Sequence, residues 1–147
     1  MKRINVVGTS ASGKSTFSKV LAQKLGLSYI ELDDLFWLDN WDESSDPNFF
    51  EKLQQSIDLA PHGHVIDGNY SRTEEIKWTQ QKLWSNSNNR ESFKSMLSRD
   101  SIIWWMIKTH KKNQHKYLQM MQSNEYAHIL WIRLCSRSEI KNFLKSL

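Results

Sequence analysis

Residues 8–15 read Gly-Thr-Ser-Ala-Ser-Gly-Lys-Ser, and few eight-residue stretches dictate their surroundings so strongly. The spacing is G-x-x-x-x-G-K-[ST], the phosphate-binding loop pattern called Walker A. Its chemistry needs a strand before it and a helix after it, and the flanks supply both. Arg3-Ile4-Asn5-Val6-Val7 is short, apolar and β-branched, as a buried strand should be. Ser15–Leu25 places apolar side chains at 17, 20, 21 and 25, a helical spacing, and Gly26 ends it. Gly8 and Gly13 let the backbone curl round an anion, while the N–H groups and dipole of the first helical turn face it. Lys14 adds charge for the β- and γ-phosphates, and the Ser15 hydroxyl suits Mg²⁺. The expected nucleotide-binding set is Gly8, Ser10, Ala11, Ser12, Gly13, Lys14, Ser15 and Thr16.

The rest of the chain alternates strands with helices. Strands are expected at 28–32, 64–67 and 128–134. Helices are expected at 47–59, capped by Asp46 with Pro47 first, at 74–84 and at 100–122. Ser136-Arg137-Ser138-Glu139 reads as a capping box opening a terminal helix with an apolar face of Ile140, Phe143, Leu144 and Leu147. Ser85–Asn89 is an expected loop. This order predicts one α/β domain over 1–147, a parallel sheet covered on both faces. One Cys, Cys135, excludes a disulfide framework and fits a reducing, cytoplasmic setting. The first strand starts almost at once, so no signal peptide is expected, and the longest apolar run, 102–107, is too short for a membrane span.

Val65-Ile66-Asp67-Gly68 is the second chemical signal. A carboxylate closing a buried strand beside a P-loop is the Walker B pattern, which places Asp67 with Ser15 as the expected Mg²⁺ pair. Asp33 follows the second strand at its C-terminal end, where it can either accept a hydroxyl proton or cap a helix; the later acids at 39, 42, 43 and 46 read as caps and solvated groups. Charge is lopsided: residues 1–73 carry 7 Lys/Arg against 10 Asp/Glu, and residues 74–147 carry 13 against 6. The basic half fits either nucleic acid or a grip on a triphosphate. Within it, Lys108, Lys111, Lys112, Lys116, His110 and His115 form one basic helix face, read first as solvated; the spacing of its histidines does not suit zinc. Of seven tryptophans, Trp131 reads as core, while Trp37 and Trp41 with Phe36 pack the core or stack a ring of a substrate.

Val-Ile-Asp-Gly-Asn-Tyr-Ser-Arg-Thr at 65–73 resembles the Asp-Gly-Phe-Pro-Arg-Thr stretch of adenylate kinases. The ordered set is more similar still to a bacterial group of adenylate kinase-like P-loop proteins labelled DNA topology modulation proteins. It comprises the loop, Glu-Leu-Asp-x-Leu-Phe-Trp at 31–37, Asp-Gly-Asn-Tyr at 67–70, Leu83-Trp84, Asn-Arg-Glu-Ser at 89–92, Arg-Asp-Ser-Ile at 99–102 and Arg-Leu-x-Ser at 133–136. The resemblance implies a three-layer, nucleotide kinase-like P-loop fold that binds ATP or GTP with Mg²⁺ and passes the γ-phosphoryl to a nucleotide-like acceptor. It puts Arg72 on the acceptor phosphate; Arg137, near the start of the terminal helix, is expected to approach the adenine or its ribose. The alternatives are a kinase of a small hydroxyl metabolite with Asp33 as base, and a non-catalytic nucleotide- or DNA-binding protein, nucleic acid being the less favoured partner. The family carries roughly 25–30 residues more after Asp-Gly-Asn-Tyr, a strand and an Arg-rich lid that this chain lacks. With a family sheet order of 2-3-1-4-5, the last strand must shift by about 4.8 Å to reach the first strand or leave edges unpaired. A sheet one strand short and impaired catalysis are expected, with Arg72, Arg90 and Arg99 as substitute cations for the lid.

Overall fold

A computed structural model describes residues 2–9, 12–39, 42–70 and 99–147, the side chains of the last stretch from residue 110 on. Its elements are β1 (Lys2–Val6), α1 (Lys14–Leu25), β2 (Ser28–Glu31), α2 (Leu32–Phe36), α3 (Asp46–Asp58), β3 (Gly63–Asp67), α4 (Arg99–Gln122), a 3-10 turn (Asn124–Tyr126) and α5 (Arg137–Ser146). The expected helix at 74–84 and loop at 85–89 lie outside the described residues.

The strands form an all-parallel sheet of order β1-β3-β2. Ile4, Val65 and Tyr29 share one row across it, and Asn5, Ile66 and Ile30 the next. Successive side chains point to opposite faces, so the two rows feed two cores. Val65 packs with Leu21 and Ala22 of α1 and with Phe143 and Leu144 of α5. Ile30 and Ile66 pack with Phe49 and Leu53 of α3 and with Leu32 and Phe36 of α2. Helices therefore cover both faces, and β3, buried along its whole length, is the central strand of the described sheet.

Local details depart from the sequence reading in three places. Helix α3 starts one residue early: Ser45 is its cap, the Ser45 carbonyl accepts the first helical N–H from Phe49 (2.9 Å), and Asp46 lies inside. Pro47 allows this because first-turn N–H groups have no intrahelical partner to lose. Strand β2 ends at Glu31, and Leu32 turns inward as the start of a five-residue helix that hydropathy did not signal. On α1, Val20 is exposed and Ala22 buried.

The largest departure is the expected last strand. Residues 128–134 form no strand; Ile129 N–H closes a turn on the Tyr126 carbonyl (3.0 Å), and Leu130 and Ile132 are 86% and 53% exposed. Trp131 is half-buried rather than core. Apolar composition does not make a strand without a neighbour to pair with. Among the described residues β1 pairs only with β3, and no described strand lies between it and this segment.

Candidate functional site

Strand β1 leads into the loop, and α1 leaves it. Gly13 sits at the α1 cap with φ 87°, in the left-handed region that glycine adopts without strain. No side chain caps α1, so the first-turn N–H groups stay available to an anion. Lys14 Nζ donates to the Thr9 carbonyl (2.9 Å), which also accepts the Ser12 N–H (3.3 Å). A side chain added at Gly8 would press on the Lys14 stem at 3.3 Å. The ammonium is therefore held within the loop's own curve. Ser12 and Thr16 are exposed, Gly8 and Ser15 half-buried, and Ser10 and Ala11 lie outside the described residues.

Beside the loop, Glu31 and Asp67 end neighbouring strands in register, both facing α1. The Tyr29 hydroxyl joins them, 2.8 Å from Glu31 Oε2 and 3.3 Å from Asp67 Oδ2, and the Ser15 hydroxyl lies beside the same phenol, where it works slightly against the rise in its pKa. Burial raises the Tyr29 pKa far above the ordinary phenol range, followed by its bond to Glu31 and the charges of Asp67 and Glu31. It stays a neutral donor. Lys19 reaches Glu31 (3.4 Å) from a mostly exposed position, where an ion pair adds little. Asp67 is 3% exposed, and its Oδ1 has no hydrogen-bond partner among the described residues. A buried carboxylate oxygen left without a donor needs a cation or a donor. Asp67 and Ser15, brought to one phenol from two elements, are the pair the sequence nominated. Among the described residues no cluster of three or more His, Cys, Asp or Glu forms a metal site.

The chain leaving β3 curls over the loop. Gly68, at φ 141°, passes so close to Leu32 that a Cβ would lie 2.9 Å from its Cβ. Next to it, the Asn69 amide accepts the Gly8 N–H at Oδ1 (3.1 Å) and donates from Nδ2 to the Gly8 carbonyl. The Tyr117 hydroxyl donates to the same Oδ1 (3.2 Å), and His110 Nδ1 lies 3.4 Å from Thr9 Oγ1. Sequence reasoning missed Asn69 and Tyr117 as site residues. The only local signal for Asn69 was its place in Asp-Gly-Asn-Tyr. His110 belongs to the basic helix face that the sequence reads as solvated, and it is exposed.

Asp33 stands on the first turn of α2, exposed, its Oδ1 accepting the Tyr70 hydroxyl (2.7 Å). Burial and that bond, in this order, raise the Tyr70 pKa above the phenol range. Phe36 is core, edge-on to Trp37 at 5.0 Å and to Phe49 at 5.6 Å, so it is not a stacking platform. Arg137 opens α5 and is exposed, with no bond to the loop among the described residues. Arg72, Arg90 and Trp41 lie outside the described residues, as does the Arg99 side chain. No family model, no curated protein and no solved structure matches the chain.

Proposed function

We propose that the chain is a cytoplasmic P-loop phosphotransferase of nucleotide kinase type, which binds ATP or GTP and passes the γ-phosphoryl to a nucleotide-like acceptor. One observation carries the reading: the uncapped α1 N-terminus and the Lys14 ammonium share one loop, set beside a buried carboxylate with an unpartnered oxygen. Anion and cation sites side by side suit a metal-bound polyphosphate better than a bare one.

Thr16 and Ser15 present their N–H groups and Lys14 its charge to the phosphates. The residues fit Mg²⁺, with Ser15 Oγ and Asp67 as its holders, because Asp67 Oδ1 otherwise has no partner. Bound there, Mg²⁺ would neutralise charge on the β- and γ-oxygens. Tyr29, neutral and shared between two carboxylates, keeps Asp67 turned toward Ser15. An acceptor phosphate oxygen attacks the γ-phosphorus, the bond to the bridging oxygen breaks, and the nucleoside diphosphate leaves. Arg72 holds the acceptor phosphate in this scheme.

A hydroxyl acceptor with Asp33 as base is the weaker reading, since a carboxylate that already accepts the Tyr70 hydroxyl is a poorer base. A DNA-binding role through the basic half would show a steep loss of affinity with salt, unlike capture in a loop.

The test is thermal. At about 100 times Kd a ligand adds about 2.7 kcal/mol, which at this chain length raises Tm by about 5–10 °C. MgATP or MgGTP should produce that shift in the wild type and none in Lys14→Ala. No shift in the wild type, or an equal shift in both, would sink the reading.

A further inference from the structure

We propose that Asn69 is a positioning residue for the phosphate loop, fixed by Tyr117, so that the seating of α4 sets how tightly the loop grips a polyphosphate. The proposal rests on the P-loop reading above. A side-chain amide carries the same donor and acceptor as a peptide group. Asn69 uses both on one residue, accepting from the Gly8 N–H and donating to the Gly8 carbonyl. One step earlier, the Gly68 N–H bonds the Val6 carbonyl (3.3 Å). The ladder between β1 and β3 thus continues past the last strand residue, first by backbone and then by the Asn69 side chain, to the first residue of the loop.

The consequence reaches Lys14. With its N–H and its carbonyl both taken, Gly8 has the peptide groups on either side of it fixed in orientation, and the Lys14 stem and Ser12 lie directly against Gly8. Holding Gly8 therefore holds the path along which Lys14 returns to the Thr9 carbonyl. Tyr117 completes the device. Its hydroxyl and the Gly8 N–H together fill the acceptor capacity of Asn69 Oδ1, which leaves the amide one orientation. Tyr117 and His110 are seven apart on α4, hence on one helix face. Through them α4 meets two consecutive loop residues: Thr9 directly and Gly8 by way of Asn69. A loop held in its binding shape avoids the ordering cost on association.

Two neutral substitutions and two readouts test this. Asn69→Ala should weaken MgATP, measured by calorimetry, about tenfold, and Tyr117→Phe about threefold. By NMR hydrogen exchange, the Gly8 amide should exchange faster in both variants, while the Val65 and Ile66 amides keep their rates. If Lys14→Ala abolishes binding but the variants at 69 and 117 bind as the wild type does, the positioning role falls and the P-loop reading stands. Acceleration at Val65 and Ile66 equal to that at Gly8 would make Asn69 merely structural and overturn the proposal. A wild type that binds no MgATP overturns both.

Discussion

Two runs of this chain look alike as sequence and differ as structure. His64-Val65-Ile66-Asp67 and His128-Ile129-Leu130-Trp131-Ile132 both begin with histidine and continue apolar and β-branched. The first is the central strand, paired on both sides, with Val65 and Ile66 at 0% and 1% exposure. The second is not a strand, and it leaves Leu130 at 86%. Each has the side chains of a buried parallel strand; among the described residues only the first pairs in a sheet. The middle of a parallel sheet is a property of what lies on both sides of it, and the site depends on that, because Asp67 is delivered by the run that found partners.

The largest effect should come from truncating equivalent residues of the two runs. Ile66→Ala removes packing from a core shared with Phe49 and Leu53 and should cost about 2–5 kcal/mol. Leu130→Ala should stay within about 0.5 kcal/mol, as exposed positions do. Urea denaturation measures both. A comparable loss at Leu130 would mean that the second run is packed in solution, and the contrast would collapse.

The same contrast explains what could be read in advance. The strand, loop and helix over 2–25 were legible because every signal lay within a few residues: β-branched run, two glycines, Lys-Ser, helical spacing. Asp67 was legible because a strand-end carboxylate is a local pattern. The ends of β2 and α3 were not, since a residue that can begin a helix can also close a strand, and α3 differs from expectation only in which of two neighbours, Ser45 or Asp46, takes the cap. The clamp on Gly8 was out of reach for another reason. Asn69 meets Gly8 across 61 residues, Tyr117 meets Asn69 across 48, and His110 meets Thr9 across 101. No period or motif records such a meeting. The failed strand at 128–134 is the converse case, a local signal that meets no partner strand among the described residues.

The histidines that open the two runs give the next test. His64 is 4% exposed, and burial first, then the charge of Arg3 beside it in the sheet, lowers its pKa. Its row also holds Ser28. Folding thus favours neutral His64, and the unfolded chain binds the proton more readily. Stability from this residue is complete above the ordinary histidine value of about 6.5 and is lost as pH falls below it toward the folded value. One such group contributes a slope of at most about 1.4 kcal/mol per pH unit. Denaturation series from pH 7 to pH 5 should show that slope flattened in His64→Gln, with the same substitution at exposed His128 as the control. An unchanged slope in His64→Gln would mean that burial of this histidine has no thermodynamic consequence.

The smallest effect concerns what holds the run at 128–134 in place. Immediately after it, Ser136 Oγ accepts the Glu139 N–H (3.2 Å) and opens α5, as the capping box predicted. The Glu139 carboxylate turns back to accept the Ser136 hydroxyl (3.1 Å) and the Cys135 N–H (2.8 Å); the Cys135 bond first, then Ser136, lowers its pKa. Past the cap, Phe143 and Leu144 dock α5 onto α1, with Phe143 6.3 Å from Phe17. The run at 128–134 is thus tethered at its far end by side-chain caps where β3 is tethered by two ladders. Ser136→Ala should cost about 0.5–1 kcal/mol, the low side of the range for a lost cap. It should speed amide exchange at Cys135 and Glu139 while leaving Val65 and Ile66 at their wild-type rates, because a local opening of α5 need not open the sheet. Slowed or unaltered exchange at Cys135 and Glu139 would show that something other than the cap orders this end. The likeness between the two runs would then have to be sought in a partner for residues 128–134 rather than in the helix that follows them.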